Sequence, residues 1–307
     1  MRAPALAAGL AAFAAVAILV ALGHPAASEG ASGCPATARA GFGALFVEGD
    51  DSPVNGCDER LAVVCTGGYI EVDVSEPPGA PPSALVPDDE GQGGYQPVPC
   101  GNVSRIVVLG LNEDDVIDLS AVTPAAGFGT NPIFTPVTTT LDGGDGSDTI
   151  IGSAFADRIS QGNDGGGGLV LGNGGDDRLV GDSGLDRLFG GDGNDALVGI
   201  EGNDELDGGA GDDRLDSGPD ADIDRGGAGN DRIVAGDGDD SVFGEAGADL
   251  AFGGNGKDKI DGGGGPDRLF GDAAADLIRG RQGDDLLVGG LGKDNLRGGP
   301  GNNRIRP

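Results

Sequence analysis

The chain has 307 residues, 64 of them glycine and only 4% aromatic, and its 51 Asp and Glu against 19 Lys and Arg give a formal net charge of −32. That balance argues against nucleic acid and anionic membrane surfaces as partners and in favour of cations. Glycine in this amount makes the backbone costly to order, so a chain of this composition stays disordered unless something binds.

Residues 3–22 carry no charge, are mostly Ala, Leu and Val, and follow Arg2. With the small-residue stretch HPAASEG behind them they have the shape of a secretory signal peptide, with cleavage after Ser28. An uncleaved anchor is the alternative, because the run is nearly long enough to cross a bilayer. The ASGC at 31–34 makes a poor lipoprotein site, since Leu is absent three residues before Cys34 and Glu29 intervenes. The mature chain is expected to be extracellular, with attachment to the cell surface a further option.

Residues 29–100 form a small non-repetitive β region. FGALFV (42–47), RLAVVC (60–65) and YIEVDV (69–74) read as strands, and 76–99, with seven prolines, as an exposed loop. Cys34, Cys57, Cys65 and Cys100 are an even set in an exported chain, which favours disulfides. Three pairings are open; Cys57–Cys65 would close a short turn and leave Cys34–Cys100 to tie the ends. The spacings fit no common zinc finger, and His24, the only histidine, lies in the signal segment.

A nine-residue frame governs the rest. GNVSRIVVL (101–109) and GLNEDDVID (110–118) are in phase, an excursion follows over 119–142, and the frame resumes with GGDGSDTII and GSAFADRIS. QGNDGGGGLVL (161–171) is two residues too long and is expected to be irregular. From Gly172 to Arg306 the unit then runs fifteen times without a break. Gly dominates positions one and four, Asp holds position six in fourteen units, and Leu, Ile or Val holds position eight in thirteen. Residues 101–142 thus read as a degenerate first coil with an inserted loop, and 143–307 as a strict repeat. A period this strict means a solenoid.

The unit explains itself as geometry. Its glycines permit left-handed backbone and a tight turn; positions seven to nine make a short strand with position eight inward. Two units close one coil, and like strands stack at the sheet spacing, so the fifteen units span about 35 Å. The core is one thin apolar ladder from each side, too slim to order so much glycine alone. Stacked turns that combine main-chain carbonyls with a carboxylate at a fixed offset suit calcium, which takes six to eight oxygens; magnesium fits less well because it keeps its waters. Eight turns on one side and seven on the other leave about 13 inter-turn sites, enough to neutralise the 35 Asp and Glu against 15 Lys and Arg of residues 142–307.

Units such as GGDGNDALV (190–198), GGAGNDRIV (226–234) and GGNGKDKID (253–261) resemble the GGxGxDxUx nonapeptide of RTX, or haemolysin-type, calcium-binding repeats. The resemblance is strong over 143–306 and weak over 101–118. It implies an all-β fold, a right-handed parallel β-roll, with about a dozen Ca2+ ions held in the turns. Carried over, the carboxylate ligands are Asp148, Asp157, Asp177, Asp186, Asp195, Asp204, Asp213, Asp231, Asp240, Asp249, Asp258, Asp267, Asp276, Asp285 and Asp294. Turn carbonyls near Gly144, Gly146, Gly191, Gly193, Gly209, Gly211, Gly227, Gly229, Gly254, Gly256, Gly263, Gly265, Gly290 and Gly292 complete the sets. Asn303 makes the last turn a weak site or an end cap. The turns of SGPDADIDR (217–225), with Asp220 for Gly and Asp224 for an apolar residue, and of GDAAADLIR (271–279), with Ala274, are expected to be distorted or empty.

RTX toxins and proteases carry a secretion segment after their repeats; here the sequence stops in a repeat, and the N-terminal signal implies the general secretory route. No HExxH and no triad histidine follow the signal, so the chain reads as a structural or interaction module rather than an enzyme. The alternatives are an adhesin, or a calcium-dependent polysaccharide-active enzyme whose carboxylates would come from Asp50, Asp51, Asp58 and Glu59. Position nine faces out, and units two apart share a face. One row reads Val180, Val198, Asp216, Val234, Phe252, Phe270, Val288, Arg306, a candidate surface for a cell-surface, polysaccharide or protein partner; the other is mostly charged. Arg recurs at position seven, at Arg158, Arg178, Arg187, Arg214, Arg232 and Arg268. It is expected to balance charge; a polyanion track is the alternative, against which the net acidity weighs.

Overall fold

A computed structural model describes the strands Thr37–Gly41, Ala44–Glu48, Arg60–Thr66, Tyr69–Ser75 and Ser83–Ala84, and then residues 105–307 apart from 113, 128–136 and 163–164. The described residues are all-β and contain no helix. They form a parallel β-solenoid built from two sheets of 13 strands. From residue 105 onward every strand pairs in parallel with its neighbours, and successive strands of the chain alternate between the two sheets.

The register follows from the period. Each residue pairs with the one two units on, so position eight stacks on position eight. One sheet carries Leu179, Leu197, Leu215, Ile233, Ala251, Leu269 and Leu287 in line. The other carries Val170, Leu188, Leu206, Asp224, Val242, Ile260 and Ile278. All these side chains are buried, and together they make the single narrow core. Positions seven and nine flank each inward residue and face out, the alternation a pleated strand imposes.

The N-terminal strands are not set apart from the repeat. Ala44–Glu48 pairs in parallel with Arg105–Asn112, and Arg60–Thr66 with Val116–Asp118, so each sheet continues into the N-terminal region and ends there in antiparallel pairs. The three strands read from sequence are present, with Thr37–Gly41 and Ser83–Ala84 in addition. The signal segment, most of the proline-rich loop, and the disulfide pairing of Cys34, Cys57, Cys65 and Cys100 lie outside the described residues.

One reading of the frame needs correction. The excursion ends sooner than expected, because Thr138–Asp145 is a strand, with Leu141 buried between Val108 and Ile159. Thr139 therefore occupies position six of a coil with no Gly signature. Leu119 and Val122, in the excursion itself, are buried in the same core. The eleven residues 161–171 keep register at both ends, with Gly162 opposite Gly144 and Val170 between Ile150 and Leu188. The two surplus residues therefore fall between Gly162 and Gly168, in the turn, as the count predicts.

Glycine at position four is a contact requirement. At Gly211 φ is +142°, and an added Cβ would fall inside the van der Waals radius of the Gly193 carbonyl oxygen one coil back. At Gly174 φ is not left-handed and the nearest atom to an added Cβ, the Asp192 carbonyl oxygen, is 3.6 Å away. Gly211→Ala is expected to destabilise the calcium-loaded protein by about 3 kcal/mol or more. Gly174→Ala should change stability by less than about 1 kcal/mol. Thermal unfolding of the two variants checks this; equal midpoints would show that the contact does not matter.

Candidate metal centre

The position-six aspartates are buried in two files, one along each turn edge of the solenoid. In each file the backbone N–H of one Asp donates to Oδ1 of the next Asp in line, eighteen residues later from Asp177 onward and twenty from Asp157 to Asp177. One file runs from Asp157 through Asp177, Asp195, Asp213, Asp231, Asp249, Asp267 and Asp285 to Asn303. The other joins the Asp115 N–H to Asp148, resumes at the Gly168 N–H and runs through Asp186, Asp204, Asp222, Asp240, Asp258 and Asp276 to Asp294. Distances are 2.7–3.2 Å for the Asp-to-Asp bonds. One oxygen of each carboxylate therefore acts as a backbone acceptor and locks coil to coil.

The second oxygen is left over. Oδ2 of Asp177, Asp195, Asp204, Asp213, Asp222, Asp231, Asp240, Asp249, Asp258, Asp267, Asp276 and Asp285 is buried without a hydrogen-bond partner. A buried carboxylate oxygen with no donor is expensive, and a whole file of them is a reason to look for a cation. Burial pushes these acids up, and neighbouring aspartates add to it against the opposing backbone N–H bonds. Asp177 rises to about 8, Asp204, Asp222, Asp249 and Asp258 to about 7, and Asp195, Asp231 and Asp267 to about 6.

The turn glycines provide the remaining oxygens. All fourteen glycines singled out from the sequence have φ between +95° and +148°. At positions two and four, an added Cβ would strike the carbonyl oxygen of the equivalent turn residue one coil back, for example Gly209 against Gly191 and Gly229 against Gly211. Turn carbonyls thus point from coil to coil. Among the described residues no three Asp, Glu, His or Cys side chains converge on one point. A cation here would take main-chain oxygens as most of its shell and carboxylate as the minority, a donor set of hard oxygens that suits calcium.

Not every turn is alike. The Asp157 carboxylate is filled by the Ser153 N–H and hydroxyl and by the Thr139 hydroxyl. Asp186 accepts the Asp182 N–H at 2.7 Å on Oδ2 and the Gly168 N–H on Oδ1, while its own N–H donates to Asp204 Oδ1, and the unpartnered oxygen there is Asp182 Oδ2. Asp294, near the open end, is half-buried. The two turns expected to be irregular differ in backbone: φ is +82° at Asp220 and +87° at Ala274, where most glycines at position four lie between +112° and +148°. Their aspartates, Asp222 and Asp276, nevertheless keep both the ladder bond and the free oxygen. Sequence reasoning passed over Asp222 because of its unusual neighbours, although its place in the frame marks it.

Asp224 is a different case. It stands in the apolar ladder between Leu206 and Val242, fully buried, and accepts the Ser217 hydroxyl at 2.5 Å. Burial, reinforced by Asp222, Asp240 and Asp204, raises it to about 8, so it is protonated at neutral pH and acts as a polar core residue. The N-terminal carboxylates Asp50, Asp51, Asp58 and Glu59 lie outside the described residues.

The RTX calcium-binding nonapeptide repeat matches residues 140–160 and then, in overlapping copies, 171–306. The chain belongs to the RTX calcium-binding repeat family. No curated protein gives a significant match to it. The family's repeats bind calcium, and the geometry of this RTX chain fits that ion: unpartnered buried carboxylate oxygens, carbonyls stacked between coils, and glycine where any side chain would block them. This RTX protein is a calcium-binding repeat protein on a parallel β-solenoid.

Proposed function

We propose that the chain is an exported structural or interaction module whose solenoid assembles only when calcium fills its turns. The observation that supports this most is the set of buried, unpartnered Oδ2 atoms on twelve position-six aspartates. A fold cannot keep so many carboxylates dry and charged at neutral pH without a counter-ion. The ligands would be those Oδ2 atoms with the carbonyls of positions two and four. In the turns of Asp157 and Asp186, internal donors already fill the carboxylate, and those two are the weakest members of the set read from sequence. Export is supported by the uncharged run at 3–22, and extracellular calcium would then be the trigger.

The number of ions follows from the free oxygens. Twelve such aspartates imply about a dozen bound calcium ions per chain. Elemental analysis after equilibrium dialysis, with isothermal titration calorimetry alongside, measures the count. A stoichiometry of one or two ions would defeat the proposal that the files are the binding sites.

A further inference from the structure

The two outer faces of the solenoid carry charge in different ways. On the second sheet cations and anions are paired: Glu205 bonds Arg225 at 2.7 Å and approaches Arg187, and Asp261 bonds Arg281 and approaches Arg279. On the first sheet, position seven carries Arg158, Arg178, Arg214, Arg232, Arg268 and Arg304, all exposed. The register puts them in one file, with Ala196, Leu250 and Leu286 as the intervening rungs. Eight rung steps make it about 38 Å long. Among the described residues no ion pair joins any of the six to a carboxylate, and from Arg158 onward positions seven and nine of this sheet hold a single acid, Asp216, with Asp237 and Asp272 exposed farther along their strands. Arg158 pairs directly with Arg178 and Arg214 with Arg232, like charges opposed across a ladder, which costs stability unless an anion lies over them. In a chain of net charge −32 six bases thus stand in one file without an ion pair, so overall acidity does not describe that file.

We infer that this arginine file, with the aliphatic row beside it, is a binding surface for a linear acidic polysaccharide, one uronate-type chain lying along the solenoid axis. The row two residues on is Val180, Val198, Val234 and Val288, half-buried and flat, with Phe252 and Phe270 among them. The arginines supply forked donors for carboxylates, and the valines an apolar bed for the C–H faces of sugar rings. The coil spacing offers an arginine every one or two rungs, which matches a polymer with one carboxylate per sugar. Single-stranded nucleic acid fits less well, because it needs free aromatic faces for its bases. Phe252 and Phe270 stack on each other at 5.0 Å, and Arg232 lies over the Phe252 ring at 5.1 Å, so those faces are engaged. A second copy docked by a two-fold axis would set arginine file against arginine file.

The inference rests on the calcium-assembled solenoid, so the test is run on the full chain in calcium with circular dichroism on the same samples. End-labelled oligogalacturonate, short enough not to gel, is titrated by fluorescence anisotropy, with dextran and oligothymidylate as the other probes. The expected result is binding of oligogalacturonate that weakens as salt rises, with no binding of dextran and weaker binding of oligothymidylate. The triple change Arg178→Glu, Arg214→Glu, Arg232→Glu should weaken it about tenfold or more. The same three positions changed to Gln give a milder loss if the Glu variant folds poorly. Lys259→Glu, Lys293→Glu, Arg297→Glu, with the same change in net charge elsewhere, should leave affinity within about twofold. Absence of binding by a folded protein, equal binding by the triple variant, or equal binding of oligothymidylate would each overturn the assignment. Loss of β signal in calcium would overturn the calcium reading and, with it, the face on which the inference stands.

Discussion

Chelation of calcium is expected to remove most of the far-UV β signal from the region 138–307, and re-addition to restore it. The argument is one of opposed terms. Each nonapeptide buries one large side chain in a core a single residue thick per sheet, worth about 1.5–3 kcal/mol. It must also order nine residues, several of them glycine, at about 1 kcal/mol or more each. Coil-to-coil hydrogen bonds narrow the gap, yet the files of unpartnered Oδ2 widen it again by several kcal/mol along the molecule. Ion binding to the folded form alone reverses the balance by mass action. With each ion placed between two coils, as proposed, the transition should be cooperative in calcium, with a midpoint of about 10⁻⁴–10⁻³ M if the sites are tuned to extracellular levels. A circular dichroism titration in Ca2+/EGTA buffers measures it. Undiminished β signal in excess EGTA would remove the basis for calcium-coupled folding.

In EGTA, acidification should partly replace the ion. Burial raises Asp177 to about 8, Asp222 and Asp258 to about 7 and Asp231 to about 6 in the fold, whereas unfolded aspartates titrate near 3.9. Between those values the folded state holds protons that the unfolded chain has released. Stability of the calcium-free fold is therefore greatest below about pH 4 and falls as pH rises through about 6 to 8. The calcium-free chain should show much more β structure at pH 5 than at pH 8. Calcium, by contrast, competes with those protons, so its apparent affinity should fall toward pH 5 and binding at pH 7 should release protons. Circular dichroism against pH, with and without calcium, reads both trends. A calcium-free signal that is flat in pH, or rises with it, would show that the buried carboxylates are not what the ion relieves.

Much of this was legible because the period is strict. Position eight had to be the core and units two apart had to share a face, and Leu188 on Leu206 and Val180 on Val198 bear that out. Where sequence reasoning stopped short, the signal was composition rather than frame. Thr139 and Leu141 lie in a Thr-rich stretch without glycine, so their coil was missed, although the nine-residue count from Gly143 places them correctly. Gly168 stands at position six without a side chain and still donates to Asp186. The pairing of arginines on one sheet and their freedom on the other could not be read from a one-dimensional count, because ion pairs such as Arg225 with Glu205 join residues twenty apart. The double use of Asp, one oxygen for the backbone and one left for a cation, needs atomic positions.

The alternation of units between sheets has a consequence for how such a chain can lengthen. A duplication of eighteen residues adds one whole coil and leaves every later residue on its original face. A duplication of nine is equally in frame, yet it would carry every later strand to the opposite sheet. The arginines of positions 214–304 would then continue below the ion-paired face, and the single file would be cut in two. Growth by even numbers of units preserves the surface, and growth by odd numbers rewires it while leaving core and turns intact.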